Sequence, residues 1–196
     1  MKKTCAYVLA AVLSLSVLSG CQASPSTQKL TPITLNEVAH SIFYAPQYAA
    51  IELGYFKDEG LDLTLVNGAG ADKVMTALVS GDADIGFMGS EASIYTYAGG
   101  AEDYAVNFAQ LTQRAGNFLV ARQPMENFEW EMLKGTKVLG GRAGGMPQMV
   151  FEYILKKNGI DPKADLSIDQ SINFGLTAAA FTSNDADYTV EFEPFA

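Results

Sequence analysis

Four short segments of the chain carry side chains that could hold a small molecule, and each segment lies at the end of a predicted β-strand. Hydroxyl, aromatic, imidazole, guanidinium and carboxylate groups can bind a solute through hydrogen bonds, ring stacking or charge. In an open α/β sheet, ligands bind beyond the carboxyl ends of the strands. We therefore expect one shared ligand site. The predicted ligand-binding residues are His40, Ser41, Phe43, Tyr44, Gly89, Ser90, Arg142, Gly144, Gly145, Met146 and Glu191.

The glycine-rich segment 140–147 (GGRAGGMP) is the best candidate for an anion site. It links a predicted strand to a helix N-terminus, its glycines would let a ligand approach the backbone amides, and Arg142 could offer a fork of donors to a carboxylate or sulfonate. Its glycine spacing is not that of a dinucleotide-binding fingerprint, and no Lys-Ser pair of a phosphate loop follows. The alternative is a turn that requires glycine for steric reasons, beside a solvated arginine.

The other segments favour a different ligand chemistry. Phe43 and Tyr44 could stack on a planar ring or could belong to the core, and His40 could contact a ligand or simply pack in its loop. The carboxylate of Glu191 could bind an amine or the N–H edge of a pyrimidine, or could be a solvated acid. The sequence therefore leaves two ligand classes open, an oxyanion and a planar heterocycle.

The segment Gly89-Ser90-Glu91 has a purely structural interpretation as well as a functional one. Ser90 is a suitable N-cap for a following helix, and Glu91 would then lie in its positively polarised first turn. As a ligand site, the segment would offer its free backbone N–H groups or the Ser90 hydroxyl to a polar group of the solute. For Glu91 we favour the role of a helix-dipole partner over that of a ligand contact.

The composition argues against a catalytic function and against binding to nucleic acid. His40 is the one histidine of the chain, and its two cysteines are Cys5 and Cys21, so no metal site rich in histidine or cysteine is possible and no cofactor is expected. We find no nucleophile with an adjacent base, and hence predict that the protein is not an enzyme. The net charge of −9 disfavours binding to nucleic acid or to a polyanionic membrane surface.

The N-terminus has the features of an export signal. Lys2 and Lys3 precede a short apolar stretch at 6–18, after which Leu18-Ser19-Gly20-Cys21 resembles the bacterial lipobox. We predict that Cys21 is acylated, with palmitate among the chains, and that the protein is held by this anchor on the outer face of the cell membrane. An ordinary secretory signal with an incidental cysteine is the alternative. Loss of Lys2 and Lys3 would change the net charge from −9 to −11.

Strands and helices alternate along the chain, which predicts α/β units with mainly parallel sheets flanked by helices. Gly81 and Asn184 are expected to end helices in the left-handed conformation. The predicted strands are 33–38, 61–66, 84–88, 106–111, 118–121, 137–139, 166–169 and 188–192. The predicted helices are 46–54 (or to residue 60), 71–80, 90–97, 147–157 and 176–183.

The sequence also repeats itself. Pro46-Gln47 is echoed by Pro147-Gln148, and the segment 77–84 (ALVSGDAD) by 180–187 (AFTSNDAD), in the same order. Two similar α/β units can pack as two lobes with a ligand cleft between them. We therefore expect lobe 1 at 31–115.

Several motifs resemble one protein family, the substrate-binding lipoproteins of ATP-binding-cassette (ABC) importers. The likeness covers about residues 31–196 and is carried by 40–46 (HSIFYAP), 54–61 (GYFKDEGL), 81–86 (GDADIG) and 192–194 (FEP). These motifs are similar to those of the branch that binds nitrate, sulfonates, taurine and pyrimidine precursors of thiamine.

The resemblance implies a two-lobed periplasmic-binding-protein fold of the second structural type. It also implies a monomeric receptor that captures a small solute and delivers it to the transmembrane subunits of a permease. The expected organisation is a signal peptide at 1–20, a flexible tether at 21–30, lobe 1 at 31–115 and an incomplete lobe 2 at 116–196. A truncated, non-binding remnant is the first alternative. A pyrimidine-biosynthesis enzyme on the same fold is the second.

Overall fold

The structure is a computed structural model that describes residues 29–114, 116–173, 175–193 and 195–196. The predicted signal peptide, the acylation site Cys21 and most of the tether lie outside these residues. In the described part of the chain, no helix combines the length and apolarity needed to cross a bilayer. The strands are β1 (Thr31–Glu37), β2 (Leu61–Asn67), β3 (Ile85–Phe87), β4 (Asn117–Ala121), β5 (Lys137–Leu139), β6 (Ser167–Asp169) and β7 (Tyr188–Phe192).

The helices alternate with these strands, as the sequence predicts. Two short 3₁₀ helices, Ile42–Tyr44 and Trp130–Leu133, precede α1 and β5 respectively. The α-helices are α1 (Ala45–Glu52), α2 (Tyr55–Asp58), α3 (Ala71–Ser80), α4 (Glu91–Ala98), α5 (Met146–Lys157) and α6 (Thr177–Ser183).

The strands form two sheets whose topologies repeat. The first sheet has the order β2-β1-β3 with both pairs parallel. The second has the order β4-β7-β5-β6, in which β6-β5-β7 is the parallel counterpart of β2-β1-β3 and β4 adds an antiparallel edge strand. In each sheet the first strand of the unit is central, and the helix that follows it, α1 or α5, carries a proline in its first turn. The repeat in the sequence is thus a repeat of topology.

Each sheet is covered by its own apolar cluster, and the two clusters position the loops at the strand ends. Val74 on α3 is fully buried and packs with Val38, Ala71, Met75 and Ala92. In the second unit the buried cluster comprises Leu133, Val138, Phe151, Leu155, Ile160, Leu166, Tyr188 and Val190. The buried residues of α3 and of α5 recur at helical spacing and pack in these clusters, whereas α1 buries only Gln47.

Three local predictions are wrong. Residues 106–111 form no strand, because no described strand lies beside them to complete a ladder; the side chains of Val106 and Phe108 are exposed. Ser90 makes no capping hydrogen bond, because its backbone (φ −62°, ψ −21°) is already helical. Asn184 is extended (φ −116°, ψ −173°) rather than left-handed.

Candidate functional site

A cavity of about 780 Å³ opens where the loops of both sheets meet. From the first sheet, its lining includes Phe87 and the loop that connects β3 to α4. From the second sheet, it includes Asn117 on β4 and the loop that connects β5 to α5. Cavities of roughly 300–1,000 Å³ are typical of small-molecule sites. The cavity therefore has the size of a solute site.

Aromatic rings form one wall of this cavity. The Tyr44 ring lies 4.4 Å from the Phe87 ring, centroid to centroid, and Phe43 lies 5.7 Å from Tyr44 and 6.3 Å from Phe192. All four residues line the cavity. Burial raises the pKa of the Tyr44 hydroxyl, and the nearby Tyr48, Glu37 and Glu91 raise it further, so this hydroxyl stays protonated. Such a wall suits a flat or apolar part of a ligand.

Two helices point their N-termini towards the cavity, one from each unit. Gly89, Ser90 and Glu91 at the start of α4 line it, and so do Gly145 and Met146 at the start of α5. Neither helix has a side-chain cap at its first turn. Uncapped backbone N–H groups hydrogen-bond the acceptors that approach them, and here the N–H groups of Glu91 and Met146 face the Glu91 carboxyl.

Glu91 is the most unusual group of the site. Only 3% of the residue is exposed, yet neither carboxylate oxygen has a hydrogen-bond partner among the described residues. Burial raises the pKa of this carboxyl above its ordinary value of 4.5. Its own N–H and that of Met146 face the carboxyl and lower the pKa in part, although neither completes a hydrogen bond.

The other two buried glutamates among the described residues are fully partnered. Glu37 accepts hydrogen bonds from Gln47 Nε2 and Tyr48 Oη, both at 2.9 Å, and its other oxygen lies 3.0 Å from His40 Nδ1. Glu191 accepts from Thr189 Oγ1 at 2.8 Å and Thr177 Oγ1 at 2.9 Å. Its burial also raises its pKa, which the two hydroxyls oppose.

Arg142 lines the cavity, but its guanidinium is already bound. Nε and Nη2 donate to the two carboxylate oxygens of Asp72 at 2.8 and 2.6 Å, and Nη1 donates to Asn173 Oδ1 at 2.8 Å. The hydrogen bond to Arg142 lowers the pKa of the Asp72 carboxyl. The fork that the sequence assigned to a ligand anion is thus occupied by an aspartate of the first unit, on α3.

The structure brings most of the predicted site residues together. Those that line the cavity are Phe43, Tyr44, Gly89, Ser90, Arg142, Gly145 and Met146. Four others, His40, Ser41, Gly144 and Glu191, lie outside its lining, and a ligand role for them remains a prediction.

All four residues make local contacts, and those of Glu191 are the two threonine hydroxyls described above. The His40 ring stacks on Tyr48 at 4.4 Å while it contacts Glu37. Ser41 Oγ caps the first 3₁₀ helix by accepting from the Phe43 amide at 3.2 Å, and Gly144 N–H donates to Gln148 Oε1.

Glu91 lies in the cavity lining, although the sequence favours a helix-dipole role for it over a ligand contact. An acidic residue in the first turn of a helix is fully explained by the helix dipole, so the sequence gives no separate signal for a buried site group. Only the closeness of the second unit, with Met146 opposite, reveals its burial. No group of three or more metal-ligating side chains occurs in the described part of the chain.

Comparisons with known proteins agree with this arrangement. The sequence model described as "NMT1/THI5 like" matches residues 42–193, which is most of the chain. The chain belongs to the NMT1/THI5-like family. The predicted resemblance to the solute-binding proteins of ABC importers is therefore confirmed.

One relative of this NMT1/THI5-like chain is the binding protein YtlA of Bacillus subtilis (strain 168), which is 49% identical over 187 residues. That alignment covers 95% of the chain and 56% of YtlA. A solved structure from Bordetella bronchiseptica RB50 is 25% identical, with a TM-score of 0.70 over 85% of this chain and 52% of that one. The chain thus spans about half the length of the relatives it matches.

Two sulfonate-binding proteins share the fold. The alkanesulfonate-binding protein SsuA of Xanthomonas axonopodis pv. citri, solved with MOPS bound, is 17% identical with a TM-score of 0.59; the aliphatic sulphonate binding protein SsuA of Escherichia coli is 18% identical with a TM-score of 0.51. The alignments cover 84% of this chain and 55% of each structure. The predicted fold class, parallel sheets flanked by helices as in periplasmic binding proteins, is confirmed.

Proposed function

We propose that this NMT1/THI5-like protein is the extracytoplasmic solute receptor of an ABC importer. It captures one small organic solute in the cavity between its two sheets and presents it to the permease. The observation that carries the proposal is the cavity of about 780 Å³, because groups from both units line it. A solute that contacts both units binds best when they are close together, and so shifts the population towards a closed form that the permease can recognise.

The wall of Phe43, Tyr44 and Phe87 supports a solute with a flat or apolar part, and the helix N-termini support a polar group beside it. Relatives with the same fold bind sulfonates. The two ligand classes left open by the sequence, oxyanion and heterocycle, are therefore the first to be tested.

Thermal unfolding of the purified full chain with taurine, ethanesulfonate, nitrate or 4-amino-5-hydroxymethyl-2-methylpyrimidine tests the proposal. A solute at 100 times its Kd should raise Tm by about 5–10 °C, because binding to the folded state alone adds about 2.7 kcal/mol of stability. Met146→Trp places a large ring in the cavity lining and should abolish the shift. Met149→Trp, on the exposed side of the same helix, is the matched control. A flat response of the wild-type protein to all four compounds would argue against a receptor.

We further propose that Cys21 carries the lipid anchor. Radiolabelled palmitate fed to expressing cells should label the wild-type protein and the Cys5→Ser variant, because Cys5 belongs to the removed signal peptide. The Cys21→Ser variant should be unlabelled and should be released from the membrane fraction. Equal labelling of Cys21→Ser and wild type would rule out this site of acylation.

A further inference from the structure

The side chain of Arg142 spans the gap between the two units. Its backbone belongs to the loop between β5 and α5 of the second unit. Its Nε and Nη2 donate to the two carboxylate oxygens of Asp72, at the start of α3 in the first unit, at 2.8 and 2.6 Å. Nη1 donates to Asn173 Oδ1 of the second unit at 2.8 Å. One guanidinium therefore binds both units at once, and its hydrogen bonds to the first unit are charge-assisted.

The first unit has a close-fitting seat for this side chain. A Cβ at Gly70 would lie 2.7 Å from Arg142 Nε and 2.8 Å from Arg142 Cδ, which is closer than non-bonded atoms approach. The arginine therefore rests directly on the glycine backbone. Ala69, just before it, has φ 57°, a conformation that is unfavourable for a residue with a Cβ. Such strain persists where the surrounding structure fixes the backbone, and here it directly precedes the two residues that hold the arginine.

The second unit fixes the direction of the arginine. Gly141 has φ +78°, and the amides on the other side of Arg142 are bound: Ala143 N–H donates to the Gln170 carbonyl and Gly145 N–H to the Arg142 carbonyl, both at 3.2 Å. Only 19% of the Arg142 side chain is exposed. Because the loop and the side chain are both held, little conformational entropy remains to be lost when the pair forms.

A second hydrogen bond between the units is weaker. Ser41 Oγ donates to the Glu193 carbonyl at 3.4 Å, which is long for a hydrogen bond between two oxygen atoms. It is also neutral, whereas the contact between Asp72 and Arg142 is a bidentate ion pair. The charged pair is therefore the stronger of the two polar contacts, although solvent screens it because 46% of the Asp72 side chain is exposed.

On the basis of the receptor function proposed above, we propose that the Asp72–Arg142 pair is a latch, a contact that holds the two units of the empty receptor closed. Both partners belong to the chain itself, so the pair needs no solute to form. It raises the population of the closed form before any solute binds. Since Arg142 also lines the cavity, a solute enters freely only after the pair has opened, and the latch limits the rate of entry.

The distance between two spin labels, one on each unit, measures the closed population directly. Lys57→Cys on α2 and Lys163→Cys between α5 and β6 are both exposed positions, and Cys5→Ser and Cys21→Ser remove the native thiols of the full chain. Pulsed electron paramagnetic resonance without solute should resolve a shorter distance for the closed form and a longer one for the open form. We expect the shorter distance to predominate in the wild-type background.

Asp72→Asn removes the charge of the latch at constant size and should lower the ratio of closed to open molecules by about fivefold. Raising NaCl to about 1 M, where the Debye length is about 3 Å, should shift the wild type in the same direction and leave Asp72→Asn nearly unchanged. Asp62→Asn, which removes an exposed acid from β2 of the same unit, is the matched control and should behave like wild type.

A second variant covers the case in which Asp72→Asn does not fold. Arg142→Lys keeps the charge but loses the fork, and it should also lower the closed population. Equal distance distributions in wild type and the latch variants, no response of the wild type to salt, or an equal shift in Asp62→Asn would overturn the latch. Because no solute is used, that failure would leave the receptor function intact. A salt-dependent distance in a chain that binds none of the four solutes named above would instead support the latch and contradict the receptor function.

Discussion

At the scale of single residues, three buried glutamates of one chain have three different environments. Glu37 lies among an amide, a phenol and an imidazole, and Glu191 between two threonine hydroxyls. Each is a structural group whose burial is offset by its hydrogen bonds. Neither carboxylate oxygen of Glu91 has a hydrogen-bond partner among the described residues, so the burial of this group destabilises the folded state.

The burial of Glu91 predicts a pH-dependent stability. Its pKa is raised in the folded protein, so the folded state holds this proton more tightly than the unfolded chain does. The associated stability is present below the ordinary pKa of 4.5 and is lost as the pH rises through the raised value. Glu91→Gln removes this titration. As the pH rises from acid to neutral, the free energy of unfolding of Glu91→Gln should therefore increase relative to that of the wild type, by on the order of 1–3 kcal/mol.

Urea unfolding of the two proteins at several pH values measures this difference. Glu191 also has a raised pKa, but it titrates in both proteins and cancels in the comparison. Glu52→Gln, which changes an exposed glutamate of α1, is the control and should follow the wild-type profile. Parallel profiles for wild type and Glu91→Gln would show that the carboxyl of Glu91 is not desolvated in the folded protein.

At the scale of elements, the sequence predicts well what depends on local chemistry. Gly81 ends α3 in the left-handed conformation (φ +80°), as a glycine after a helix should. Alternating and continuous apolar stretches locate all seven observed strands, because burial of one or both faces imposes those patterns. The proline that begins α1 and the one that begins α5 are equally local signals.

Elements whose ends depend on distant residues are predicted less well. Asn184 is extended because its side chain accepts from the Ala186 amide at 3.0 Å, while its carbonyl accepts from Arg122 Nη2. The same arginine donates to the Phe181 carbonyl at 2.6 Å and lies over the Phe181 ring. Arg122 therefore supplies hydrogen bonds to the end of α6, whereas α3 ends at the left-handed Gly81. Arg122 is about 60 positions away in sequence, and no local pattern links it to the helix end.

At the scale of the whole molecule, the distribution of charge around the cavity depends on how the two units meet. Met146 of the second unit faces Glu91 of the first, and Asp72 of the first unit holds Arg142 of the second. The sequence predicts the loops that line the cavity, because their types and positions after strands are visible in it. It does not predict which charges are neutralised across the gap, because that depends on the packing of two units 70 residues apart.

The Asp72–Arg142 pair predicts that removal of the aspartate strengthens anion binding. Asp72 occupies the guanidinium fork as an anion would, so Asp72→Ala should free Arg142 beside the cavity and create an anion site. We expect benzenesulfonate binding to rise by about tenfold in Asp72→Ala, because a charge-assisted hydrogen bond contributes about 1.5–3 kcal/mol and part of it is screened by solvent. Isothermal calorimetry at low ionic strength measures the change.

The double variant Asp72→Ala/Arg142→Ala separates this effect from a general change in charge. Asp72→Ala and the double variant both lack the Asp72 carboxylate. The double variant also lacks the Arg142 guanidinium, so it should bind benzenesulfonate no better than wild type. Denaturation of the wild type, the two single variants and the double variant should give a coupling energy of about 1 kcal/mol, since Asp72 is half-exposed. Equal benzenesulfonate affinity in Asp72→Ala and the double variant would mean that the arginine fork is not directed at the cavity, and that charge alone governs what enters it.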